Sequence, residues 1–426
     1  MAIFLLFVGV FALVLLNVPI AVALGIAAVT AMVTTQGMDI LPNLAIVMYS
    51  GATNFPLIAI PLFILAGAIM NTSGISRRLL AFASALFGFV RGGLAMVNVG
   101  ASMFFAEISG SAVADVAALG SILIPAMKKK GYPGAFAAAV TSSSASLAII
   151  IPPSIPMILY AVMAGSSVVQ LFVAGIVPGI IGGLFMMGLC YWFAVRYDYP
   201  VEEVFQLKRL WKTFKDAALA FLLPLIILGG IFGGLVTATE GAGLAVVAAI
   251  GIAVYYREIN WKQFRAAVID GGVQTAVVML LVASSALLGV YLTEAQVPQR
   301  LAAGITELTT NPIVILALLN VFFLAIGLFL HSAAAIILVV PIVMPVVNAA
   351  GIDPVHFGIV VTLNLAIGQQ TPPVASVLMT ACSIAKTGIW EVTKVNVYFI
   401  AVLLTVLMLV TYVPAIPLSL VNLFYK

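Results

Sequence analysis

Apolar runs long enough to cross a bilayer recur along the whole chain, near residues 2–16, 18–36, 56–73, 135–163, 168–195, 217–237, 240–256, 274–292, 355–385 and 395–422. A helix rises about 1.5 Å per residue, so roughly 20 apolar residues span a hydrocarbon core. The pattern predicts ten crossings. Two further apolar segments, 93–127 and 311–347, are interrupted near mid-length by the stretches "EISGSAVAD" and "FLHSAA". Each half has only about 15 residues, short for a span, so both segments are predicted to be re-entrant helical hairpins. Residues 37–55, 77–92, 257–273 and 294–310 are mildly amphipathic and read as short arms along the interface. The one long polar stretch, "RYDYPVEEVFQLKRLWKTFKD" at 196–216, divides the chain in half and reads as an amphipathic cytoplasmic linker.

The basic residues test the hairpin assignment, because a hairpin returns the chain to the side it came from. With ten crossings and two hairpins, sixteen of the eighteen Lys and Arg residues fall on one face, leaving only Arg300 and Lys426 on the other. That asymmetry is the positive-inside pattern, and it places both termini outside. Composition agrees with the spans: 426 residues are 64% hydrophobic and only 8% charged, against about a quarter charged in a soluble domain. The net charge of +4 sits in short clusters between spans. It reads as a topology signal rather than a nucleic-acid surface. The amino-terminal run lacks a basic leading region and a cleavage site and is too long for a signal peptide. Cys190 and Cys382 lie in apolar spans and read as small buried hydrophobes.

A repeat organises these elements. "ILIPAMKKKGYPGAFAAAVTSSSASLAIIIPPSIPMILYA" aligns without a gap to "IVMPVVNAAGIDPVHFGIVVTLNLAIGQQTPPVASVLMTA", 220 residues downstream. Pro125 pairs with Pro345, Gly131 with Gly351, and Pro152 and Pro153 with Pro372 and Pro373. Loops that are basic in one copy are neutral in the other: Lys128, Lys129 and Lys130 match Asn348, Ala349 and Ala350. Five crossings per half is an odd number, so the two halves are inverted. Inverted repeats with broken helices are the pattern of secondary transporters, whose binding site lies between the repeats near the midplane.

Each half supplies a hairpin tip and a proline-broken helix. Prolines free carbonyls about one turn upstream, and half-helix ends expose carbonyls at one terminus and amides at the other. Carbonyls with hydroxyls suit a small cation such as sodium, and amide ends suit an anion. On that basis Ser109, Gly110, Ser111, Ser144, Ser146 and Ser154 are candidates for one sodium site. Gly327, Ser332, Gly368 and Thr371 are candidates for a second. Candidates for the substrate are the intramembrane ionisable residues Glu107, Asp115 and His331, with Pro152, Pro153, Gln369, Gln370, Pro372 and Pro373 at the breaks. Taken singly, such prolines are often simple kinks, and such serines often bond their own backbone. Their symmetric placement is what points to function. His356 reads as structural.

Together, "EISGSAVAD", "PAMKKKGYP", "IIPPSIPMILY" and "GQQTPPVASVL" resemble the large membrane subunit of tripartite ATP-independent periplasmic (TRAP) transporters, over essentially the whole chain. The resemblance implies an all-α, elevator-type, sodium-coupled importer of an organic acid in the bacterial inner membrane. A scaffold of residues 1–55 and 217–273 would stay fixed while residues 56–195 and 274–426 carry the substrate. It further implies a small four-helix membrane subunit as a separate chain, a periplasmic binding protein, and no cofactor beyond coupling ions. C4-dicarboxylates and sialic acid are the substrate classes, with the sialic-acid group the nearer likeness. Two other classes compete: an intramembrane hydrolase using Ser102, for which no H-E-x-x-H motif exists, and a passive channel, which the inverted repeat disfavours.

Overall fold

The computed structural model describes residues 2–16, 18–201 and 204–425; the side chains of 2–5, 7, 11, 15, 107–109 and 306 lie outside that description. The described residues are all-helical. No strand forms among them, and one isolated bridge pairs Arg91 with Val201. Among the described residues seven helices are long and apolar enough to cross a membrane, one of them the hairpin arm Ser332–Ala349. Shorter apolar helices supply the rest, among them Ile20–Gln36 and the pieces on either side of the two breaks.

Each half contains the same run of elements. In the first, hairpin arms Gly93–Ser109 and Ala112–Lys129 precede a helix that starts as Gly134–Ala145, tightens to a 3-10 turn at Ser146–Ile149, breaks, and resumes as Ile155–Ala164. In the second, arms Pro312–Gly327 and Ser332–Ala349 precede Pro354–Gly368, a break, and Ser376–Ala385. The second arms are 18 residues in both hairpins and the resumed helices are 10 residues in both. The repeat extends to single backbone conformations. Gly131 (φ 90°) and Gly351 (φ 66°) close the same turn, a conformation costly for a residue with a Cβ. Both Pro152–Pro153 and Pro372–Pro373 are cis.

Three expectations need correcting. The arm expected at 257–273 is the start of one helix, Trp261–Glu294, of 34 residues, so the boundary expected at 273 falls inside a continuous helix. The last part of the 196–216 linker is likewise helical, the start of Leu207–Phe232. The final crossing stops at Tyr412, and a separate helix runs from Ala415 to Tyr425.

Two groups of helices stand out in the packing, with Ile75–Phe87 and Trp261–Glu294 touching both. Ala59–Thr72 packs against Ala238–Tyr255 and Trp261–Glu294, and the latter also against Ile20–Gln36 and Leu41–Ala52. In the other group the repeats interlock. The resumed helix Ile155–Ala164 packs on hairpin arm Ser332–Ala349, and Ser376–Ala385 packs on Ala112–Lys129. Tyr160, fully buried, donates from its hydroxyl to the carbonyl of Pro354 at 2.7 Å across that junction. Lys128 does the same at the opposite junction, donating to the Ala385 carbonyl at 2.8 Å.

Candidate functional site

Both breaks are true interruptions, and both meet a hairpin tip. At the first, Ser154 caps the resumed helix: its hydroxyl donates to the Ile149 carbonyl at 2.7 Å and accepts from the Met157 amide at 3.5 Å. The tip residue Gly110 (φ 57°) lies so near that a Cβ there would sit 3.1 Å from the Pro153 carbonyl oxygen. At the second, Gly327 and Gly368 bring two backbones into contact, a Cβ on Gly368 falling 2.5 Å from Gly327. The Val374 amide donates to Leu328 of the tip at 3.3 Å. These contacts hold the hairpin tips against mid-helix breaks, the placement a re-entrant hairpin requires.

A fully buried polar network joins the two breaks. The serine-rich turn 141–146 presents hydroxyls in three directions. Ser144 bonds Ser102 at 2.8 Å and, at 3.5 Å, Asn98, whose amide donates to Thr141 at 2.6 Å; these bonds tie the turn to its own hairpin. Ser143 donates to Asn396 at 2.6 Å, and Asn396 donates to the Gln370 carbonyl at 3.1 Å. The Gln370 side chain in turn donates to the Ser142 carbonyl at 2.7 Å and to the Ser146 hydroxyl. In the second half, Asn364 stands 220 residues after Ser144 and donates to Asn320 on the hairpin arm at 2.7 Å. Asn364 Oδ1 and Gln370 Oε1 are buried acceptors that no donor among the described residues reaches.

The tips enclose a cavity of about 260 Å³. Gly110, Ser111 and Ala112 line it from the first hairpin and His331, Ser332 and Ala333 from the second. Ile149, Ile155 and Pro156 of the first break and Gln369 of the second complete that side. The opposite wall is Ile64 with Val273, Gln274, Val277 and Val278. Three helices, Ala112–Lys129, Ser332–Ala349 and Ile155–Ala164, begin at its edge. Their first-turn amides and positive dipole ends favour an anion. Among the described residues that line the cavity, none carries a fixed charge. The buried Gln369 Nε2 has no acceptor among the described residues.

The structure thus gathers Gly110, Ser111, His331, Ser332 and Gln369 at one cavity, although Ser111 and Ser332 had been expected at two ion sites. Ser144, Ser146 and Gln370 lie behind it in the network, and Ser154 is a helix cap. Thr371 bonds the Ile367 carbonyl at 3.0 Å. Pro152 lies in the first break and Pro372 in the second, whereas Pro373 lines an apolar groove beside the first helices. Asp115 is buried in the first turn of its helix. The side chains of Glu107 and Ser109 lie outside the described residues. His356 bonds the Val410 carbonyl at 2.8 Å, as a structural residue should. Ser102 faces Ser144 and not a base. Sequence reasoning missed Asn98, Asn320, Asn364 and Asn396, though an asparagine inside an apolar span is itself a signal. It also missed Gln274, the one polar residue on the far wall.

The family model described as the tripartite ATP-independent periplasmic transporter, DctM component, matches residues 7–416. The chain is 41% identical to the isethionate TRAP transporter permease protein DctMQ of Oleidesulfovibrio alaskensis over 413 residues, 96% of this chain. It spans 65% of that protein's length. It is 38% identical over 385 residues to the C4-dicarboxylate TRAP transporter large permease protein DctM of Pseudomonas aeruginosa, covering 90% of each. A third relative, the 2,3-diketo-L-gulonate TRAP transporter large permease protein YiaN of Escherichia coli, is 35% identical over 411 residues, 96% of each. The solved structure of the Alcanivorax borkumensis YdaH transporter, described as having an unusual topology, shares the fold. It has a TM-score of 0.65 over 90% of both chains at 17% identity.

Proposed function

Because the chain belongs to the DctM component family of tripartite ATP-independent periplasmic transporters, we propose that it is a large membrane subunit that imports a small organic acid anion with sodium, by an elevator movement. The observation that carries this reading is the cavity between the hairpin tips, where three helix N-termini and Ser111, Ser332, His331 and Gln369 meet without a fixed charge. Such a site suits a carboxylate or sulfonate. Isethionate, C4-dicarboxylate and 2,3-diketo-L-gulonate, named for the relatives, are all small anions of this kind. The volume of about 260 Å³ lies near the lower end for small-molecule sites, roughly 300–1,000 Å³, and favours a compact acid such as a C4-dicarboxylate over sialic acid.

Sodium coupling is supported by the breaks. The unpartnered buried oxygens Asn364 Oδ1 and Gln370 Oε1, with the hydroxyls and carbonyls around them, form the oxygen-rich surroundings a hard cation prefers. Ions at the breaks would order the tips, and the anion would then meet a completed pocket, which is the differential affinity that coupling needs. An elevator is supported by the two groups of helices whose walls face each other across the cavity. In this reading the protein sits in the bacterial inner membrane with both termini periplasmic. It works with a small four-helix subunit as a separate chain and with a periplasmic binding protein.

The test is uptake of labelled C4-dicarboxylate, isethionate and sialic acid into proteoliposomes holding the membrane subunits, with binding protein outside. Uptake of one acid that rises with an inward sodium gradient is the expected result. Uptake indifferent to that gradient would overturn sodium coupling.

A further inference from the structure

A second cavity, of about 1030 Å³, lies away from the transport site. It opens between the arm Ile75–Phe87, the start of Leu207–Phe232 and the turn that follows Ala238–Tyr255. These ends belong to the face that collects the basic residues. Arg77, Arg78 and Lys215 line the cavity together with Asp216 and Glu258.

The charges are not equivalent. Arg78 is committed: it grips Glu258 through two bonds of 2.6 and 3.0 Å, and its guanidinium stacks 3.7 Å from the Tyr256 ring centroid. The Tyr256 hydroxyl donates to the Asp216 carbonyl at 2.9 Å and closes the floor. Arg77 makes one 3.2 Å contact to the same carboxylate, and its side chain is 74% exposed. Lys215 lies 5.2 Å from the Trp211 ring. Among the described residues, these two cations therefore keep most of their donors for something else.

The surroundings indicate what that is. The wall below the charges is apolar, formed by Ala81, Leu219, Gly251 and Ile252. Lys215, Leu219 and Leu222 follow at spacings of four and three on one helix face, and Leu222 is exposed. Tyr255, which lines the crevice, is exposed, as are Trp211 beside Lys215 and Trp261 three residues beyond Glu258, the aromatic residues expected at a membrane interface. Two cations lining one crevice, above an apolar face that continues to the exposed Leu222, match a phosphate carrying acyl chains.

We infer that this crevice binds a phospholipid of the cytoplasmic leaflet, its headgroup phosphate held by Arg77 and Lys215 and its chains laid along Leu219 and Leu222. Because the arm Ile75–Phe87 leads directly into the first hairpin, the lipid would brace the root of that arm.

The full-length protein, purified with its small subunit where that is a separate chain, is stripped of lipid and titrated with phosphatidylglycerol, phosphatidylethanolamine or phosphatidylcholine. Bound lipid is counted by native mass spectrometry. The wild type should hold one more phospholipid than R77Q/K215Q. Apparent affinity should fall roughly twenty-five-fold in the double variant and about fivefold in K215Q alone, about fivefold per basic residue. A K208Q/K262Q variant, changed on the same face outside the crevice, should match the wild type. Equal retention by wild type and R77Q/K215Q would overturn the site. So would displacement of the lipid by inorganic phosphate alone, which would assign the crevice to free phosphate. Neither outcome depends on what the transporter carries.

Discussion

Gly368 owes its identity to a neighbour. A methyl group there would fall 2.5 Å from the backbone of Gly327, well inside normal contact, so the hairpin and the broken helix would have to part. Gly368→Ala is expected to cost about 1–3 kcal/mol, the usual penalty of overpacking. The drop should appear in the thermal midpoint of the detergent-solubilised protein. Gly188→Ala, at a position with nothing within 4 Å, should show no such drop. Glu258 supplies a second prediction at this scale. The Arg78 guanidinium hydrogen-bonded to it holds its carboxyl below the usual glutamate range. A carboxyl depressed on folding adds stability that is fully present above the unfolded value, about 4.3. It is lost as pH falls through the lower folded value. Thermal midpoints followed from neutral to acid pH should therefore fall less steeply for Glu258→Gln than for the wild type.

Among the elements, the two breaks were legible because proline pairs are rare, and a pair repeated 220 residues later is rarer. What followed the breaks was less legible. The resumed helices lie 221 residues apart, since two residues follow the proline pair in the second break and one in the first, and only the first has a serine cap. Ser154→Ala should cost about 1 kcal/mol, within the range for losing a cap, and should lower the melting midpoint accordingly. The helix boundaries that were misplaced share a cause. Between Asn260, which caps Trp261–Glu294, and the end of that helix there is no proline, so a polar first third continues unbroken into the membrane. Its counterpart in the first half is split by Asn54 and Pro56. At the carboxyl end Pro414 and Pro417 were read as part of one span, but the helix ends at Tyr412 just before them. Polarity suggested boundaries that backbone chemistry decided.

For the molecule as a whole, the cavity was half legible. Ser111, His331, Ser332 and Gln369 stand in motifs that announce themselves. The far wall, Ile64 with Val273, Gln274, Val277 and Val278, belongs to ordinary apolar helices and becomes a wall only when the chain folds. That wall offers a clean test of the transport reading. Val277 is exposed, so Val277→Trp adds bulk toward the cavity without crowding the core. Uptake should fall to background while the melting midpoint stays within a few degrees of wild type, and unchanged uptake would remove the cavity from the pathway. The absence of a fixed charge among the described lining residues sets how firmly any anion can be held. Three helix ends at about 0.3–2 kcal/mol each supply on the order of 1–6 kcal/mol, so by themselves they hold an anion no tighter than tens of micromolar. On the proposed transport reading, a hold resting on helix ends alone would keep the carrier from scavenging at trace concentration and would let it empty quickly. Its speed comes from letting go, and scarcity of cargo has to be overcome before the cargo arrives.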